Sequence, residues 1–136
     1  MSVTLASASQ VLSFLAFDFG TRRVGVAVGN SLTRTATPLP TIDSQGEARL
    51  EAIGALIGQW QPSALVIGVP FHPNGAAHAN TVRARRFGRE LQARFRLPVH
   101  EVDERYSTTS ARSAGAADTD AAAAAIILEQ HLAGLP

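Results

Sequence analysis

Carboxylates recur at three points of this 136-residue chain where a strand or helix end would present them to a ligand. Asp18 stands at the end of the apolar run SFLAFDF, with only Phe19 between it and Gly20. Asp103 and Glu104 close a second run in EVDERYST, and Asp118 and Asp120 open the alanine-rich stretch that reaches Leu132. Each has a commonplace explanation. An Asp ahead of a Gly is a frequent turn residue, an acidic pair after a strand is a solvated loop, and acids opening a helix cap its N–H groups and favour its dipole. Their distribution suggests more, because three separate elements bring acids to what could be one end of one sheet. Clustered carboxylates repel, and the natural remedy is Mg²⁺ or Mn²⁺ held by oxygen ligands, with a bound phosphate completing the shell.

The basic residues are the second chemical signal. All 12 are arginine and none is lysine, against 11 acids, for a net charge of +1. The missing lysines exclude lysine-based catalysis and a GxxxxGK[ST] phosphate loop, while guanidinium groups suit bidentate phosphate contacts; a GC-rich genome would also explain the bias. Six arginines (83, 85, 86, 89, 94 and 96) fall between residues 83 and 96 beside the single acid Glu90. That segment is either a solvated helix face or a ridge for a nucleic-acid backbone beside the acids. Zero cysteines exclude disulfides, zinc–thiolate sites and a thiol nucleophile. The histidines at 72, 78, 100 and 131 lack the spacing of a metal motif and read as surface or packing residues.

The elements that must position these groups follow from hydrophobic pattern. Ser13 to Phe19 reads as a buried strand, and Val24 to Val28 as a second one joined to it by a hairpin through GTRR. Thr35 to Ile42 contains Pro38 and Pro40, which cannot donate to a ladder, and so reads as an edge strand. From Gly46 to Trp60 the residues Leu50, Ile53, Leu56, Ile57 and Trp60 form one helix face, opposite Glu47, Arg49 and Glu51. The unbroken run Ala64 to Val69 predicts a central strand covered on both faces. A helix is expected from about Asn80 to Phe95, with Ala84, Phe87, Leu91 and Phe95 inward. A strand follows from Leu97 to Val102, then a helix beginning over Ser107 to Ser113, and a last helix from Thr119 to Leu132. The order β-β-β-α-β-α-β-α-α predicts an α/β fold whose mixed sheet begins with three antiparallel strands and continues with parallel strands joined by helical crossovers. Ligands gather at the carboxyl ends of such strands. Length predicts one domain over residues 1–136, residues 1–12 being a flexible extension. The N-terminus lacks the basic start of a secretory signal, and the cytoplasm is the expected compartment.

Four blocks carry a family resemblance: FDFGTRRVGVAVGN at 17–30, VIGVPFHPNG at 66–75, EVDERYSTTSARS at 101–113 and DAAAAAIILEQHL at 120–132. In this order and spacing they resemble the YqgF family of pre-16S rRNA nucleases, also described as Holliday-junction-resolvase-like proteins, with an RNase H-like fold. The resemblance implies a nuclease that processes the 5′ end of precursor 16S rRNA, with catalytic and metal-binding acids Asp18, Glu104 and Asp120. Asp118 is the rival for the third place, and Asp103 would orient a neighbour. By analogy, two Mg²⁺ (or Mn²⁺) about 4 Å apart would activate water for in-line attack on a phosphodiester. Arg22, Arg23 and Arg105 flank two of the acids and are candidates to hold phosphates, as are Arg83, Arg86 and Arg89 on the arginine-rich helix. The chain departs from the family between ARS and the last acid, where relatives carry a longer Gly-rich, basic segment and this chain has only AGAADT.

The alternatives are a resolvase of Holliday junctions or other structured DNA and a non-catalytic RNA-binding assembly factor on the same fold. The strand-turn-strand FDFGTRRVGVAVG also resembles the first phosphate loop of two-domain ATPases, but a chain of this length leaves no room for their second domain.

Overall fold

The computed structural model describes residues 11–104 and 119–136. Within them the order is β1 (Ser13–Asp18), β2 (Val24–Asn30), β3 (Ala36–Ile42), α1 (Gly46–Trp60), β4 (Ala64–Val69), α2 (Ala79–Phe95), β5 (Val99–Asp103) and α3 (Thr119–Ala133). The helix expected to begin at Ser107 lies outside the described residues. The five strands form one sheet in the order β3-β2-β1-β4-β5. β1 pairs antiparallel with β2 and parallel with β4; β2 pairs antiparallel with β3, and β4 parallel with β5. The carboxyl ends of β1, β4 and β5 therefore share one edge of the sheet. β3 is an edge strand, as its two prolines require.

Side-chain alternation sends each strand's residues to two separate cores. Leu15, Phe17, Val24, Val26, Leu65, Ile67 and Val69 pack under α1 and α2 through Leu50, Ile53, Ala84, Phe87 and Leu91. Phe14, Ala16, Ala27, Ala64 and Val66 face α3 through Ala124, Ile127, Leu128 and Leu132. The small residues on this second face let α3 lie close to the sheet. Arg34, in the β2–β3 turn, donates to the carbonyls of Leu132, Leu135 and Pro136 and ties down the far end of α3. Among the described residues no helix is long and apolar enough to cross a membrane.

Two side chains on α1 differ from the pattern. Arg49, expected on the solvent face, is 7% exposed. It donates to the carbonyls of Ser44 and Thr21 and lies 5.7 Å over the Phe19 ring. Burial lowers its pKa from the usual value, with Glu90 opposing the shift, but the group stays a cation that staples α1 to the β1–β2 turn. Trp60, expected inward, is 39% exposed at the last residue of α1.

At the end of the sheet away from the acids, His131 of α3 stacks on His100 of β5 at 5.0 Å and meets Phe14 edge-on at 4.9 Å. Its buried Nε2 makes no hydrogen bond to the described residues. Burial first, and the His100 charge second, lower its pKa from 6.5. The unfolded chain therefore binds this proton more readily than the folded one, so stability falls as pH drops through 6.5 and levels off below the folded value. Denaturant midpoints should fall between roughly pH 7.5 and 5.5. That fall should be smaller in His131→Phe, and an identical pH profile in the variant would show that the pair does not report on folding.

Candidate active site

Asp18 ends β1 on the face that α3 covers, the face of Phe14 and Ala16, and is 7% exposed. Its neighbours across the sheet are both glycines. Gly25 of β2 is its direct antiparallel partner. On the other side Gly68 of β4 follows Ile67, the parallel partner of Phe17. Neighbouring strands lie about 4.8 Å apart, so the two glycines form a floor on either side of the Asp18 carboxylate.

The other two acids lie over that floor. A Cβ at Gly25 would stand 1.9 Å from the carbonyl oxygen of Asp120, so the first turn of α3 rests directly on β2. A Cβ at Gly68 would stand 1.9 Å from Glu104 Oε2 and 2.3 Å from Ile127 Cδ1. Glu104 is 6% exposed, and its backbone N–H donates to the Val69 carbonyl, which fixes the chain as it leaves β5. A third glycine shapes the turn: at Gly20 a Cβ would meet the Arg23 carbonyl at 2.5 Å. The sequence reading missed Gly25 and Gly68 as site residues. Their signal was available, since a glycine inside an apolar strand often marks a close approach of another chain segment.

The side chains do not close into a three-carboxylate cluster. Asp18 and Glu104 are both buried, with Glu104 Oε2 over Gly68, but the Asp120 carboxylate is turned to Arg23, whose Nε is 3.1 Å away. Among the described residues no group of three or more histidine or acidic side chains could hold a metal ion as it stands. The donor set nonetheless suits Mg²⁺ or Mn²⁺, being entirely carboxylate oxygen, and the two glycines let Glu104 and the first turn of α3 close onto the sheet beside Asp18. Asp103 ends β5 with its side chain exposed, whereas Asp118 and Arg105 lie outside the described residues.

The expected arginines divide by position. Arg22 and Arg23 line a polar cavity of about 550 Å³ with Asp43 and Gln45, where Gln45 Nε2 donates to the Arg22 carbonyl at 2.6 Å. Arg83, Arg86 and Arg89 are exposed on α2, which covers the sheet face opposite the one bearing Asp18. A ligand reaching them from the acids would pass over the sheet edge beside Phe19, which shares a groove of about 320 Å³ with Arg49, Arg83, Arg86 and Glu90. The ridge is less free than its composition suggests. Arg85 pairs with Glu101, Arg94 with Glu47, and Arg83 donates to Asn80.

A mixed sheet layered between helices, with acids at the ends of β1 and β5 and at the start of α3, is an RNase H-like arrangement. A family model described as RuvX, Holliday junction resolvase, matches residues 12–134, and the chain belongs to that family. Similar proteins include one from Polaromonas sp., 65% identical over 91% of this chain and 90% of its own length, and one from Albidiferax ferrireducens, 62% identical over 92% and 80%. Both bear the name "Putative pre-16S rRNA nuclease". Among solved structures, T. thermophilus RuvC in complex with a Holliday junction substrate aligns at a TM-score of 0.58 over 89% of this chain and 94% of its own. At 14% identity that likeness speaks for the fold alone.

Proposed function

We propose that the chain is a divalent-metal-dependent endonuclease that processes the 5′ end of precursor 16S rRNA in the cytoplasm. The observation that carries the reading is the glycine floor on either side of Asp18, which lets Glu104 and the first turn of α3 approach a buried carboxylate at the carboxyl end of the sheet. The names of the relatives from Polaromonas sp. and Albidiferax ferrireducens supply the substrate class.

In this reading Asp18 and Glu104 hold Mg²⁺ (or Mn²⁺), and Asp120 is the third ligand. The metal, when bound, supplies charge neutralisation at the phosphate and a more acidic water. Asp18 is paired with Gly25 of β2, and Phe17 before it with Ile67 of β4, so its carboxylate is positioned before any ligand arrives. Glu104, fixed through its N–H to Val69, closes the side toward β5. Arg22 and Arg23, on the turn leaving β1, take the phosphates flanking the scissile one, and Arg83, Arg86 and Arg89 engage the strand further along its path.

The test is a side-by-side cleavage assay with purified protein and Mg²⁺, on a precursor 16S rRNA 5′ end and on a four-way DNA junction. Cleavage of the rRNA in preference to the junction is expected. Faster junction cleavage would replace the RNA assignment with the resolvase activity that describes the family. Binding without cleavage of either, with Mg²⁺ or Mn²⁺ present, would leave a non-catalytic assembly factor.

A further inference from the structure

We propose that Arg23 is an exchangeable counter-ion, holding Asp120 out of the metal site until a phosphodiester takes the guanidinium in its place. This rests on the assignment of Asp18, Glu104 and Asp120 to a metal site.

The backbone of Asp120 has little freedom. Its carbonyl lies against Gly25, the next residue Ala121 is buried, and Arg34 ties the other end of α3. What can move is the side chain. Its carboxylate is 25% exposed and is held by Arg23, whose own side chain is 62% exposed. An exposed pair between flexible side chains contributes little and is easily exchanged. A phosphodiester offers the guanidinium a bidentate partner of the same charge. Room for it exists beside the pair, in the cavity of about 550 Å³ that Arg23 shares with Arg22, Asp43 and Gln45. Gln45 anchors the backbone at Arg22, so the two arginines are presented on a fixed turn while their side chains stay free to swing. With Arg23 on the phosphate, the Asp120 carboxylate is released beside Asp18, the strand partner of Gly25.

Completion of the metal site is thereby tied to the presence of substrate. Linkage then requires that a bound phosphodiester strengthen metal binding, and that metal strengthen binding of the strand by the same factor.

The test is a double-mutant cycle read in Mn²⁺ affinity of the full chain without nucleic acid, by electron paramagnetic resonance or calorimetry. Asp120→Asn should change that affinity by less than about twofold while Arg23 is present, and should weaken it by about fivefold or more in the Arg23→Gln background. Equal effects of Asp120→Asn in the two backgrounds would overturn the proposal and leave Arg23 a simple charge neighbour. A weaker Mn²⁺ affinity in Arg23→Gln alone would overturn it too, by showing that the pair supports the site. Failure of the metal assignment itself looks different: Asp18→Asn would then leave Mn²⁺ binding unchanged.

Discussion

Asp18→Asn should remove Mg²⁺-dependent cleavage almost entirely while leaving the fold in place. The substitution is isosteric and sits at the end of a strand paired on both sides, so neither core loses an atom. What it removes is one anionic oxygen from the acid nearest the middle of the site. Loss of a residue that only supports a metal ligand costs roughly 10- to 100-fold, and loss of a ligand should cost at least the upper figure. The same variant separates metal binding from catalysis. Any ion bound to the folded state alone stabilises it by RT ln(1 + [L]/Kd), about 2.7 kcal/mol at a hundredfold excess over Kd. For a domain of this size that is a rise of roughly 10 °C in Tm. Wild type should show the rise on adding Mn²⁺, and Asp18→Asn should lose most of it. The metal-free melt of the variant is the baseline from which its own Mn²⁺ shift is read. An undiminished Mn²⁺ shift in Asp18→Asn would remove this residue from the metal site.

Most of this architecture was legible in the sequence because period and composition decide it locally. The run ALVIGV of β4 could only be a strand covered on both faces, and α1 lies where the spacing of Leu50, Ile53 and Leu56 placed it. Legibility failed where a long-range contact overrides the local pattern. Arg49 reads as a solvent residue on α1 until the carbonyls of Thr21 and Ser44 turn up beside it. The arginine ridge reads as a neighbour of the acids until the sheet is assembled, and then the helix that carries it packs on the other face. The site shows the same division. Asp18, Glu104 and Asp120 stand out as acids at element ends, but no periodicity reveals that Asp120 faces Arg23, since that depends on how α3 meets the β1–β2 turn across about a hundred residues.

Gly25 and Gly68 were the least legible of the site residues, and the same substitution at each should have opposite consequences. At Gly25 an added methyl meets backbone, the carbonyl oxygen of Asp120 at 1.9 Å, its carbon at 2.3 Å and the Ala121 nitrogen at 3.1 Å. No rotamer relieves this contact. The first turn of α3 must lift from the sheet, loosening the packing of Ala124, Ile127 and Leu128 behind it. Overpacking a core costs about 1–3 kcal/mol and occasionally more, and a backbone collision belongs at or above the top of that range. Gly25→Ala should therefore lower Tm by roughly 10 °C or more. At Gly68 the methyl meets only side-chain ends, Glu104 Oε2 at 1.9 Å and Ile127 Cδ1 at 2.3 Å, and both can rotate away. The stability cost should be smaller, about 1 kcal/mol. The displaced group is the Glu104 carboxylate, however, so Gly68→Ala should still fold and yet lose cleavage and Mn²⁺ affinity nearly as Glu104→Gln does. Thermal melts and Mn²⁺ titrations on the two variants would check this. A Gly68→Ala protein with wild-type Mn²⁺ affinity would mean that the Glu104 carboxylate does its work somewhere other than over β4.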